Sequence, residues 1–76
     1  MSETMSVTIE AAGSLKKHIG AGTTLQDVYT VGEAVTQLAL PEIGEVMMLV
    51  NGRLAYWQTE LEDGDILKLV PAIGGG

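Results

Sequence analysis

The chain has 76 residues and a mass of 8.0 kDa, and its 46% hydrophobic content against 18% charge marks one small folded domain rather than a disordered segment. A net charge of −6 with only four basic residues argues against nucleic acid, because too few cations are present to neutralise phosphates, and against an acidic membrane surface. The absence of cysteine excludes a disulfide scaffold, a cysteine zinc site, an iron–sulfur cluster and a cysteine nucleophile.

No apolar run approaches the roughly 18 residues that cross a bilayer. Met1-Ser2-Glu3-Thr4 lacks the basic start of a secretory signal, so a cytoplasmic location is expected. From Met5 to Ala11 apolar and polar residues alternate, which predicts a half-buried strand broken by Gly13-Ser14. Leu15 and Ile19, four apart, predict one helical turn over the core edge. Gly20-Ala21-Gly22 reads as a loop and Thr23 to Tyr29 as a weak strand.

Thr30-Val31-Gly32-Glu33 fits a capping box, with Thr at the cap and Glu three residues on. Val31, Ala34, Val35 and Leu38 follow as one apolar stripe, and Pro41 closes a helix of about ten residues. Glu45 to Val50 is a nearly continuous apolar run, expected inside a sheet. Asn51-Gly52 is a hairpin signal, with Arg53 to Tyr56 as the return strand. Asp63-Gly64 marks another turn, Ile66 to Val70 the last strand, and Pro71 its end. The result is an α+β domain: one main helix on a mixed sheet of four to five strands, with the first and last strands as the central pair.

The usual catalytic sets are missing. A single histidine, His18, sits in an amphipathic turn and reads as solvated or structural. Glu62, Asp63 and Asp65 lack calcium-loop spacing and read as a solvated turn. Gly20 and Gly22 have no third glycine at phosphate-loop spacing. Tyr56 and Trp57 read as a cap on the core edge. No metal site is expected, and no bound cofactor.

The C-terminus is more informative. Ala72, Ile73, Gly74, Gly75 and Gly76 follow directly from a core strand. Glycines carry no Cβ, so such a tail fits a narrow groove. Five extended residues reach about 17 Å, enough to place a terminal carboxylate inside a partner's active site. The tail holds no acid, base or nucleophile of its own. The chemistry expected there is done by a partner on the α-carboxylate: activation as an acyl-adenylate, then attack on its carbonyl.

These pieces together resemble the ubiquitin-like (β-grasp) sulfur carriers of the MoaD/ThiS type. The resemblance runs from about Val7 to Gly76. It is carried by Gly13-Ser14-Leu15-Lys16-Lys17 after the first strand, by Thr30-Val31-Gly32-Glu33 with Leu38, and by Val50-Asn51-Gly52. Leu61-Glu62-Asp63-Gly64-Asp65, then Leu67, Leu69, Pro71 and the closing glycines, complete it. It implies a β-grasp domain over residues 1–71 with a flexible tail over residues 72–76. It implies a protein cosubstrate rather than an enzyme. A ubiquitin-activating-type adenylating enzyme would use ATP and Mg²⁺ to adenylate Gly76. A persulfide from a sulfurtransferase or cysteine desulfurase would displace AMP and leave a thiocarboxylate. The tail would then deliver sulfur inside an accepting enzyme. Pro71-Ala72-Ile73 and the Gly-Ser-Leu-Lys-Lys segment resemble the molybdopterin branch, with the molybdopterin synthase large subunit as acceptor. That branch usually has Ala before the last glycine pair, whereas this chain has Gly74. The alternatives are a thiamin-type carrier, a modifier joined to lysines through Gly76, and an interaction module with an inert tail.

Strand parity adds an expected docking face. If Val46, Met48 and Val50 point at the helix, Met47 and Leu49 point away, as do Lys68 and Val70 beside Leu67 and Leu69. Met47, Leu49, Arg53, Lys68 and Val70 are the expected partner-docking residues.

Overall fold

Residues 5–19, 22–38 and 46–71 are described by the computed structural model of the chain. The opening alternation produces strand β1, Ser6–Ala11, in which Val7, Ile9 and Ala11 are buried. The backbone then turns a corner at Gly13, with φ +58, into a 3-10 turn, Gly13–Leu15, and one helical turn, α1, Lys16–Ile19. Leu15 is fully buried and fastens this corner to the core. Strand β2, Thr23–Gln26, returns antiparallel to β1. The weak strand expected to reach Tyr29 stops short of it, because Asp27 adopts φ 60 and leaves the extended region.

Helix α2, Val31–Leu38, starts where the capping residues predict. Thr30 Oγ1 accepts from the Glu33 N–H at 3.2 Å. Glu33 Oε1 accepts from the Tyr29 N–H at 2.8 Å, one residue further back than the usual reciprocal bond. The next two free donors, the N–H groups of Val31 and Gly32, donate to the carbonyls of Thr59 and Trp57, both at 3.0 Å. The helix therefore needs the Trp57–Thr59 segment to complete its first turn. Pro41, the expected stop, lies outside the described residues.

Strands β3, Val46–Val50, and β4, Arg53–Ala55, form the hairpin signalled by Asn51-Gly52. Both turn residues have positive φ, 52 and 85, the geometry that matches strand twist in a two-residue loop. Strand β5, Ile66–Pro71, lies at the centre of the sheet, whose order is β2-β1-β5-β3-β4. It pairs parallel with β1 and antiparallel with β3. Pro71, expected to stop the strand, is its last residue, opposite Val46. Val7, Ile9, Leu67 and Leu69 from the sheet, Leu15 from the corner and Val31 from α2 are fully buried together. Five strands in a mixed sheet with one main helix across it make this a β-grasp fold.

The corner at Gly13 lies against the last residue of β5. A Cβ on Gly13 would lie 3.3 Å from Pro71 Cγ, and the left-handed φ is itself costly for any other residue. Gly13→Ala is expected to lower stability by about 1–2 kcal/mol, read as a shift in the urea midpoint. An unchanged midpoint would show that the corner relaxes freely.

Candidate functional site

The described residues end on the central strand, at Pro71. Parallel pairing with β1 on one side and antiparallel pairing with β3 on the other hold β5 in place. The Ala12 N–H adds a bond to the Leu69 carbonyl at 3.0 Å, and the Pro71 ring packs against Gly13. Ala72, Ile73, Gly74, Gly75 and Gly76, the expected reactive tail, lie outside the described residues. The fold describes the strand that precedes them in sequence.

The start of β5 is fixed by a hydrogen-bonded clasp. Asn51 Nδ2 donates to Asp65 Oδ1 at 2.8 Å, and the Ile66 N–H donates to Asn51 Oδ1 at 3.0 Å. Asp65 Oδ2 accepts from the Glu62 N–H at 2.8 Å. Asp63 Oδ1 accepts from the Ser6 N–H at 2.9 Å, while the Gly64 N–H donates back to the Ser6 carbonyl. Asp63 and Asp65, read from the sequence as part of a solvated turn, thus bind the hairpin turn, the head of β5 and the head of β1 together. Among the described residues no group of three or more His, Cys, Asp or Glu side chains could hold a metal ion.

Register sorts the sheet into two faces. Met48 pairs with Leu69 and Ala55, and Val50 pairs with Leu67, on the side that carries the core. On the other side Met47 pairs with Val70, and Leu49 pairs with both Lys68 and Leu54. Ile66, opposite Thr8, and Lys68, opposite Glu10, continue this face toward β1. Met47 is 40% exposed, Ile66 42% and Leu54 55%, whereas Leu49 and Val70 are half-buried. The face is therefore an apolar band crossed by one cation and one anion. Patches of this kind on a small domain mark partner surfaces.

Met47, Leu49, Lys68 and Val70 share this face. Arg53 does not: it pairs with Val50 and so belongs to the opposite side. That is a correction to its expected place among the docking residues. A two-residue turn forces it, because the residues flanking the turn face each other on the same side of the sheet. The same rule puts Leu54 opposite Leu49, so the hairpin signal contained a further residue of this face that parity within single strands missed. Ile66 was legible too, two positions before Lys68.

Trp57 and Tyr56 are 53% and 62% exposed. Trp57 covers the first turn of α2, where a Cβ on Gly32 would come within 2.9 Å of Trp57 Cε3. Trp57 thus caps the core edge at the helix start, beside the buried Val31.

Comparison with known proteins places these features. No curated protein matches the sequence at a significant level. The ThiS family matches residues 7–76, nearly the whole chain. Among solved structures, the small archaeal modifier protein 1 from Methanosarcina acetivorans superposes with a TM-score of 0.82 at 19% identity, covering 99% of this chain and 100% of that one. The putative molybdopterin converting factor, subunit 1, from Pyrococcus furiosus gives 0.74 at 20% identity, over 91% of this chain and 99% of that one. A complex of subunits 1 and 2 of molybdopterin-converting factor from Helicobacter pylori gives 0.70 at 24% identity, over 95% of this chain and 100% of the matched one. With the fold, the central position of β5 and the family match in agreement, the chain belongs to the ThiS family of ubiquitin-like sulfur carriers.

Proposed function

We propose that this protein carries sulfur as a thiocarboxylate on Gly76 and delivers it to cofactor biosynthesis, in the first instance to molybdopterin. The observation that carries the reading is the family match across residues 7–76, which extends through the glycine tail that follows the central strand. The molybdopterin branch draws support from the Helicobacter pylori complex, in which a protein of this fold is subunit 1 bound to a subunit 2.

The proposed chemistry follows from what the tail has and lacks. A carboxylate is a poor electrophile, and the tail offers no group to activate it. An adenylating enzyme of the ubiquitin-activating type, with ATP and Mg²⁺, attaches AMP to the Gly76 carboxylate and releases pyrophosphate. A persulfide sulfur, supplied by a sulfurtransferase or cysteine desulfurase, attacks the carbonyl and expels AMP. A thiol then reduces the resulting acyl disulfide, leaving Gly76 with a terminal thiocarboxylate and the two thiol sulfurs joined as a disulfide. In the accepting enzyme the thiocarboxylate sulfur is the nucleophile, and exclusion of water protects it from hydrolysis. The apolar band beside β5 docks these enzymes in turn. Methionine at one end of the band, where Met47 pairs with Val70, suits a surface that must fit more than one partner.

Incubation with the cognate activating enzyme, ATP and a sulfur donor is expected to raise the intact mass by the difference between sulfur and oxygen, located on Gly76. Deleting Gly75 and Gly76 is expected to abolish the gain. No gain with a competent activating enzyme would sink the carrier reading. A second reading, conjugation of Gly76 to lysines of other proteins, is favoured by the likeness to the small archaeal modifier protein. It shares the adenylation step. Trypsin cuts after Lys68, so conjugates would carry Leu69–Gly76 as a branch on target lysines in cell digests. Branched peptides without thiocarboxylate formation would favour the modifier over the carrier.

A further inference from the structure

We propose that Asn51 is a site of spontaneous deamidation, restrained by its hydrogen bonds to the head of β5, and that its conversion opens the clasp that sets the sheet register. Asn51 is the single asparagine of the chain and is followed by Gly52. Asparagine is among the thermolabile residues. With no Cβ on Gly52, little obstructs the approach of its backbone nitrogen to Asn51 Cγ. In the reaction the Gly52 nitrogen loses its proton and attacks Cγ. The Cγ–Nδ2 bond breaks, ammonia leaves, and a five-membered succinimide forms. Water then opens the ring at one carbonyl or the other, giving aspartate or isoaspartate. No oxidant, reductant or enzyme is needed.

In the folded chain both ends of the amide are engaged. Nδ2 donates to Asp65 Oδ1 at 2.8 Å and Oδ1 accepts from the Ile66 N–H at 3.0 Å. The Asn51 backbone N–H adds a bond to the Ile66 carbonyl at 2.9 Å. Asp65 is itself anchored by the Glu62 N–H. Departure of Nδ2 removes the donor of the Asp65 bond, and rotation of the side chain out of the clasp costs both side-chain bonds. The clasp therefore sets how often the reactive geometry is reached.

The product cannot restore the clasp. The new carboxylate has no N–H for Asp65, and two like charges then face each other where a hydrogen bond stood. Isoaspartate also adds a methylene to the main chain of a two-residue turn whose length fixes strand register. That register aligns Leu49 with Leu54 and Lys68, and Met47 with Val70. The loss of docking that follows rests on the carrier reading; the chemistry and its structural effect do not.

The full-length protein is incubated at mildly alkaline pH, and the amide-to-acid mass change is mapped by peptide mass spectrometry. Asp65→Ala is expected to deamidate at Asn51 roughly tenfold faster than the unmodified chain, the effect of losing one charge-assisted bond. Equal rates in the two folded proteins would overturn the proposal. A second set does not depend on that variant folding well. Asn51→Asp and Asp65→Asn are each expected to lower the urea midpoint. The double variant Asn51→Asp/Asp65→Asn is expected to recover most of the loss, because donor and acceptor are exchanged and the Glu62 N–H keeps a partner. A double variant no more stable than the sum of the singles predicts would equally overturn it.

Discussion

Leu69→Ala is expected to lower the urea midpoint by about 2–3 M, close to complete loss of the fold at physiological temperature. Leu69 is fully buried on the central strand, between Ala11 of β1 and Met48 of β3. Truncating a buried leucine costs about 3–5 kcal/mol, in transfer energy and in the cavity left behind. A chain of this length has only about 4–11 kcal/mol in total. No aromatic residue stands among the buried residues described, so the cavity would be lined by aliphatic side chains from both neighbouring strands and the helix. The adjacent Lys68→Ala, on the opposite face, is expected to change stability by no more than about 0.5 kcal/mol. Circular dichroism during urea titration measures both. Similar losses for the two variants would mean that the assigned faces of β5 are wrong.

Local signals made much of this fold legible. The alternation in β1, the capping pair Thr30 and Glu33, and the Asn51-Gly52 turn each act within a few residues, and each element forms where they predict. Parity also separated Met47 from Met48 and Lys68 from Leu69. What was not legible depends on contacts distant in sequence. Asp63 serves a backbone N–H 57 positions away, and Asp65 a side chain 14 positions away. Nothing in the spacing of Glu62, Asp63 and Asp65 distinguishes such a clasp from a solvated acidic turn. Asp27 ended β2 early through a left-handed backbone conformation that aspartate tolerates more often than most residues, but that its neighbours do not announce. Arg53 is different in kind. Its face followed from the hairpin rule and from no contact, so the information was present and strand parity alone did not extract it.

That distinction gives the docking face its sharpest test. Met47→Glu and Leu54→Glu are each expected to weaken binding of the sulfur-accepting or activating enzyme by about a hundredfold. Both side chains are substantially exposed, on the face shared with Leu49, Lys68 and Val70, so the free protein should lose little stability. In a complex, the same positions become desolvated, and a carboxylate there has no partner within the apolar band. Arg53→Glu supplies the control. It introduces the same carboxylate one residue from Leu54 but on the opposite side of the sheet. It makes net charge more negative than either neutral-to-acid change does, so a general electrostatic effect would make it the worst of the three. If the band is the docking face, Arg53→Glu is the mildest. Calorimetric titration with the partner, alongside thermal melts of the free variants, separates these outcomes. Equal weakening by all three would assign binding to overall charge and remove the face from the account, while leaving the chemistry proposed for Gly76 untouched.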